Sequence, residues 1–198
     1  MKSQFEIKDK KIIEHILNTI EYGTLALCND NKPYSVPINF VYKDETIYFH
    51  GSKKGRKMEF IKNNSFASFS VVEPFSMIQS YFSSEDNLAC PATHFFRSVS
   101  CDGSISIIKD YQKKAKVLTL LMQKLQPEGH YKPLDDEVYK KMIDATEVFK
   151  LDIKQLKAKA KLGQHLPEQR FNMILTHLET RGSEIDKLTI KQMKSYLK

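Results

Sequence analysis

The 198-residue sequence has no tryptophan, three cysteines, and no segment near the roughly 18 consecutive apolar residues that a membrane-spanning helix needs. Met1–Lys11 is polar and charged, without the apolar core of a secretory signal, so a soluble cytoplasmic protein is expected. Cys28, Cys90 and Cys101 are odd in number and form no close pair, which excludes a disulfide framework and a four-ligand zinc site. They read as reduced thiols, with Cys28 facing the packed interior. His94, His130, His165 and His177 lack metal-ligand spacing, so no metal is expected. Gly-x-Gly-x-x-Gly is missing, which excludes a dedicated dinucleotide-binding fold. Gly51 and Gly55 lie too close for a phosphate-binding P-loop, and Met58 stands where that loop needs Ser or Thr for magnesium, so a nucleotide triphosphatase is excluded as well.

A 41% hydrophobic content is enough to build a proper core and rules out a disordered chain. The net charge of +7 implies attraction to anions. Two basic concentrations carry it. Lys53–Lys57 sits between glycines, whereas Lys154, Lys157, Lys159 and Lys161 read as a solvated face.

The densest information lies between Thr24 and Lys57. In Pro33–Tyr42, Val36, Ile38, Phe40 and Tyr42 fall on one face and Ser35, Pro37, Asn39 and Val41 on the other, the period of a half-buried strand. Asn29–Lys32 and Lys43–Glu45 read as turns, and Ile47–His50 as a third strand ending at Gly51. There Gly51, Ser52, Gly55, Arg56 and Lys57 make a glycine-bounded turn at a helix start. Free backbone N–H groups, the helix dipole and two cations converge on it, which suits a single phosphate. Proline at position 37 marks a strand edge or bulge, where unpaired backbone groups can meet a ligand.

Helices are expected over residues 8–20, with Ile12, Ile13, Ile16, Leu17 and Ile20 inward, and over Lys57–Lys62 with Met58 and Ile61 inward. A strand at Phe66–Val72 should close at Pro74, followed by a long ordered loop over residues 73–92. Strands Thr93–Ser100 and Ser104–Ile108 should form a hairpin at Cys101-Asp102-Gly103. A helix carrying Ala115, Leu118, Leu121, Met122 and Leu125 stops at Pro127 and Gly129, and a short helix, Asp135–Ile143, precedes a last strand, Thr146–Ile153. Two terminal helices carry the stripes Phe171, Ile174, Leu175, Leu178 and Ile190, Met193, Leu197, with Pro167 and Gly182 as start and stop signals.

Gly23–Ala26, Val36-Pro37-Ile38-Asn39-Phe40, Ile47–Gly51, Gly55-Arg56-Lys57, Cys90-Pro91-Ala92 and Phe96–Val99 together resemble the FMN-binding split β-barrel proteins of the pyridoxamine 5'-phosphate oxidase-like superfamily, and within them the nitroimidazole-resistance branch. The resemblance covers roughly residues 10–155. It implies a mainly β fold with flanking helices: a six-stranded antiparallel split β-barrel over residues 1–160 with a C-terminal helical extension over 161–198. It also implies a homodimer with FMN at the subunit interface. Arg56 and Lys57, with Gly51, Ser52 and Gly55, match the phosphate contacts. Val36, Pro37, Ile38 and Asn39 match the strand along the flavin ring, and Ser98 and Val99 match a strand lining the groove from the partner subunit. His50 matches a flavin-proximal histidine able to donate a proton. The arginine and histidine motifs that hold the substrate phosphate in true pyridoxamine 5'-phosphate oxidases have no match near Lys150–Lys161, which argues against vitamin B6 oxidation.

The expected function is an FMN-dependent oxidoreductase passing electrons from a reduced nicotinamide to a small electrophile, a nitro compound or quinone, without membrane or nucleic-acid partners. Two rivals stand beside it. One is a haem-binding or haem-degrading protein using His94 or His165. The other is a non-catalytic FMN-binding regulator using Gln169, Arg170, Asn172 and Arg181 of the first terminal helix.

Overall fold

Alternating side chains and polar turns build the first half of the chain. In the computed structural model, which describes residues 2–85 and 88–196, α1 (Lys10–Thr19) precedes two hairpins. Strand β1 (Tyr22–Asn29) turns into β2 (Lys32–Asn39) through Asp30 and Asn31, and β3 (Val41–Lys43) turns into β4 (Thr46–Ser52) through Asp44 and Glu45. All four turn residues have positive φ, between 49° and 59°, the mark of two-residue type I′ turns, whose twist matches that of paired strands. Asn and Asp tolerate that region; branched residues do not.

Helix α2 (Arg56–Asn63) leads into β5 (Phe66–Ile78), and β6 (Thr93–Ile108) into α3 (Tyr111–Leu125). Then come α4 (Lys140–Ala145), β7 (Thr146–Lys161), α5 (Glu168–Arg181) and α6 (Glu184–Ser195). The strands form one sheet in the order β2-β1-β5-β6-β7-β4-β3. Strand β1 runs antiparallel to β2 and β5, and β4 antiparallel to β3 and β7.

The contacts divide the chain into two compact units, Lys10–Val71 with Val99–Lys157, and Met1–Asp9 with Val72–Ser98 and Ala158–Lys198. In the first unit, β2 and β3 stand at opposite ends of the strand order yet only Phe40 separates them. A one-residue link thus carries the chain between the two ends of the strand order, in keeping with a split-barrel fold whose sheet is not closed. The sheet has seven strands where six were expected, because the chain breaks at Phe40 into β2 and β3. Phe40 is fully buried, its ring 4.8 Å from that of Phe69, and Lys124 lies 3.7 Å above it while donating a 2.9 Å hydrogen bond to the Leu17 carbonyl.

This joint corrects the reading of Pro33–Tyr42 as a single alternating strand. Alternation changes parity there: Ile38, Phe40 and Val41 are buried, and Val41 joins Val117, Leu121 and Val148 in the core while Tyr42 is half-buried. Cys28 is also corrected. With Leu25 and Leu27 inward, it points outward and is exposed, whereas Cys101 is buried.

Three strands run further than expected. Strand β5 passes through Pro74, because β1 pairs only with Ala67–Ser70 and the missing N–H beyond that stretch breaks no β1 ladder bond. The expected loop therefore begins only after Ile78, with a short 3-10 turn at Ser80–Phe82, and its residues 86 and 87 lie outside the described residues. Strand β6 is continuous where a hairpin was read. Gly103 does not take positive φ; it is small because a Cβ there would collide with the Asp152 carbonyl, and the Asp102 carboxylate accepts a hydrogen bond from the Ser68 hydroxyl. Strand β7 continues to Lys161, so the second basic stretch is not simply a solvated face. Lys159 lies between the rings of Phe5 and Phe96, at 5.6 and 5.4 Å, and Lys161 donates to the Thr93 hydroxyl, leaving Lys154 and Lys157 exposed.

The helix read at Asp135–Ile143 is a 3-10 turn, Glu137–Tyr139, followed by α4. Helices α5 and α6 take the expected places. Phe171, Ile174 and Leu178 are buried, and Gly182 ends α5 at φ 67°. On α6 the buried face is Asp186, Thr189 and Met193; Leu197 lies outside the described residues. Among the described residues no helix is long and apolar enough to cross a membrane.

Candidate functional site

The end of β4 and the start of α2 bring two cations to different surroundings. Gly55 caps α2 at φ 102°, a conformation that side-chain-bearing residues avoid, and the Ser52 hydroxyl accepts a 3.1 Å bond from the Lys54 N–H. The first-turn N–H groups beyond Gly55 have no intrahelical acceptor. Arg56 is exposed; its guanidinium carbon stands 4.7 Å from the Tyr34 ring centroid and 5.3 Å from that of Phe60. No carboxylate pairs with it among the described residues. A planar cation resting on two rings, with its outer edge free, is arranged for a phosphate or carboxylate.

Lys57 turns the other way. Its Nζ lies 3.4 Å from the His50 carbonyl oxygen and 5.5 and 5.7 Å from the centroids of Phe49 and Phe149, which stack 4.9 Å apart. Burial lowers the Lys57 pKa from the usual lysine value. Gly51 makes room for this fold-back, since a Cβ there would sit 2.5 Å from Nζ. Lys57 therefore ties α2 to β4, and Arg56 is the cation that faces outward.

His50 pairs opposite Val148 of β7 and is exposed on its strand face, while the protein around it and then Lys57 hold its pKa below the usual imidazole range. At neutral pH it is an uncharged imidazole, able to donate from one nitrogen and accept at the other. On β2, an end strand, Pro37 and Asn39 are exposed, Val36 half-buried and Ile38 buried. The Asn39 amide donates a 3.2 Å bond to the Glu21 carbonyl, so this side chain braces the β1–β2 pair. On β6, Val99 is a core residue that can meet a ligand only through its backbone, and Ser98 is half-buried.

Tyr34 joins β2 to α2, since it lies three residues before Pro37 and beneath Arg56. Sequence reading passed over this platform, although Tyr34 shares the alternation of Val36, and Phe60 stands one helical turn from Arg56. The histidines offered to haem have other surroundings. His94 Nε2 is 2.8 Å from the Phe75 carbonyl, and the His165 ring packs edge-on against Phe5. Arg170 and Arg181, offered to nucleic acid, bond to Ser83 and to Asp186. No cluster of His, Cys, Asp or Glu among the described residues could hold a metal ion.

The family model described as pyridoxamine 5'-phosphate oxidase matches residues 9–160. No curated protein matches the chain. Among solved structures, the chain is similar to a protein of Bacteroides thetaiotaomicron VPI-5482 proposed to confer 5-nitroimidazole antibiotic resistance, with 21% identity over 78% of this chain and 85% of that one and a TM-score of 0.64. The flavocytochrome Anf3 of Azotobacter vinelandii matches with 23% identity over 79% and 69% of the two chains, TM-score 0.65. An FAD- and haem-binding protein of Mycobacterium smegmatis matches with 19% identity over 90% and 80%, TM-score 0.65. At these identities the structures share a fold with this chain.

Proposed function

The chain belongs to the pyridoxamine 5'-phosphate oxidase family, and from that premise we propose that it binds FMN and acts as an oxidoreductase, passing electrons from a reduced nicotinamide to a small electrophile such as a nitro compound or quinone. The observation that carries this reading is the free Arg56 guanidinium on the Tyr34–Phe60 platform, beside a glycine-bounded helix start and six residues along the chain from His50. These groups fit a phosphomonoester joined to a flat ring system.

Arg56 and the first N–H groups of α2 would hold the phosphate, and Ser52 would add a hydroxyl. Backbone of Val36–Asn39 would lie along the ring; from Tyr34 to Pro37 the extended strand covers about 10 Å, which separates a phosphate end from a ring end. Bound flavin supplies the capacity to accept hydride and release electrons. His50, neutral at pH 7, would donate its ring N–H to the ligand and orient the substrate carbonyl or nitro oxygen. Lys57 would keep His50 neutral and hold the end of β4 in place.

We propose a homodimer as the working form. Tyr22 and Phe66 are 63% and 50% exposed on the outward faces of β1 and β5, beside the small outward residues Thr24, Ala26 and Ser68. A face of small residues with aromatic margins suits a second copy of the same surface.

Purification followed by an absorption spectrum, then addition of reduced nicotinamide without oxygen, tests the reading. Flavin bands that bleach support it. A preparation that stays colourless and takes up no added FMN overturns it, and a Soret band transfers the case to haem.

A further inference from the structure

A second basic region, away from Arg56 and Lys57, lies within the same compact unit. A cavity of about 480 Å³ opens between the start of α3, the β3–β4 turn and the end of β6. Lys43, Lys109, Lys113 and Lys116 converge on it, and none of the four is ion-paired among the described residues. Lys150 also lines it but is neutralised by Asp152 at 2.8 Å.

The floor is apolar. Tyr48, Ile108 and Leu120 pack against the buried cluster of Val41, Val117, Leu121 and Val148, and they form the wall beneath the lysines. The helical repeat explains the arrangement, because Lys113, Lys116 and Leu120 are spaced to share one face of α3. Two carboxylates moderate the charge. Asp110 is engaged as the α3 cap, accepting a 2.8 Å bond from the Lys113 N–H, and Asp44 stands in the β3–β4 turn. Four free ammonium groups against two carboxylates leave an excess of two positive charges.

Unpaired like charges gathered on a concave apolar floor raise one another's energy unless an anion joins them. We propose that this cavity is a binding site for a soluble phosphomonoester carrying a compact apolar or aromatic body: the dianionic phosphate between Lys109, Lys113 and Lys116, the body on Tyr48 and Leu120. The volume falls in the range of small-molecule sites. A concave site of this size favours a free small molecule over a nucleic-acid backbone, which needs a continuous track of cations. Tyr48 shares its face of β4 with His50, two residues on, so the ligand would lie about 7 Å along the strand from that histidine. The site itself depends on none of the residues assigned to flavin.

Hexyl phosphate is the probe, titrated calorimetrically into the full-length protein, with hexanol and inorganic phosphate as partial ligands. Hexyl phosphate should bind, and each partial ligand should bind about tenfold more weakly or worse, because each supplies one half of the interaction. The exposed pair Lys113→Ala and Lys116→Ala should weaken hexyl phosphate by about tenfold or more, while Arg56→Ala with Lys57→Ala leaves it unchanged. Loss in the Arg56–Lys57 variant with retention in the Lys113–Lys116 variant would overturn the proposal. So would equal binding of inorganic phosphate, or binding of a single-stranded oligonucleotide that hexyl phosphate fails to displace. A charge-reversing pair, Lys113→Glu with Lys116→Glu, should abolish binding with the thermal midpoint retained, which separates loss of the site from loss of the fold.

Discussion

The Asp186 carboxylate accepts a 2.5 Å hydrogen bond from the Ser76 hydroxyl, joining α6 to β5 across 110 residues of sequence. The same carboxylate accepts from Arg181 Nε at 2.8 Å and from the Ser183 hydroxyl at 2.6 Å, and Asp186 has no exposed surface. Arg181 above all, with Ser183 and Ser76, holds its pKa well below the usual carboxylate range against the opposing effect of burial. Asp186→Ala would remove the acceptor these donors share, leaving Ser76 to Thr189 and Arg181 to Met77 and Gln79, and should cost about 1–3 kcal/mol. A depressed pKa gives stability that is complete above the unfolded value near 3.8 and drains away as pH falls through the folded one. Wild type should therefore lose more stability than the variant on going from pH 5 to pH 2.5, as read by urea melts. Parallel losses would contradict the assignment.

Gly103 bears on the interior of the sheet. An alanine there would press its methyl group against the Asp152 backbone, which cannot swing away as a side chain would. Gly103→Ala should destabilise by about 2–3 kcal/mol, visible as a lowered thermal midpoint. A variant as stable as wild type would show that β6 and β7 do not approach so closely.

Arg56 and Lys57 should not contribute equally to flavin retention. Arg56→Ala removes the outward cation and should weaken FMN by about ten- to a hundredfold in a fluorescence titration. Lys57→Ala acts through the end of β4 and should weaken it less. The reverse order would place the phosphate on the wrong residue.

His50 should titrate below 6.5 in an NMR pH series, since the protein packed around its ring and then the Lys57 ammonium disfavour its charged form. Lys57→Met removes the second cause, so the midpoint should rise part of the way toward the ordinary value. A midpoint that does not move would separate the two residues.

Thiol reagents give a rapid check of strand facing. Cys28 and Cys90 are exposed and should react in the native protein, whereas Cys101 is buried, with its pKa pushed up to about 12 chiefly by that burial, and should react only after unfolding.

Much of the fold was legible because β1 alternates cleanly and the two hairpin turns hold Asn and Asp, residues that accept positive φ, with Glu45 the exception. The misreadings share a cause: a local signal was read without its neighbour. Pro74 looks like a strand end until β1 is seen to pair no further than Ser70. Asp102-Gly103 looks like a turn until the Asp152 carbonyl claims the space of a side chain. Parity at Val41 changes only because Phe40 carries the chain from one end of the sheet to the other. Cys28 was different, because the alternation of Leu25 and Leu27 already turned it outward. At the candidate site, the basic cluster and His50 were visible, but the division of labour between Arg56 and Lys57 was not, since it depends on which aromatic ring each cation finds. The buried face of α6 is not legible as an apolar stripe, because Asp186 and Thr189 are polar.

The single-residue joint at Phe40 has an evolutionary corollary. Adding or deleting one amino acid between Asn39 and Val41 would swap the inside and outside of β3 while β2 stayed as it was, exchanging Val41 for Tyr42 in the core. Natural variants of this chain can therefore be expected to gain and lose residues around Pro127–Asp135, but to keep the count constant from Pro37 to Tyr42, whichever amino acids they use there.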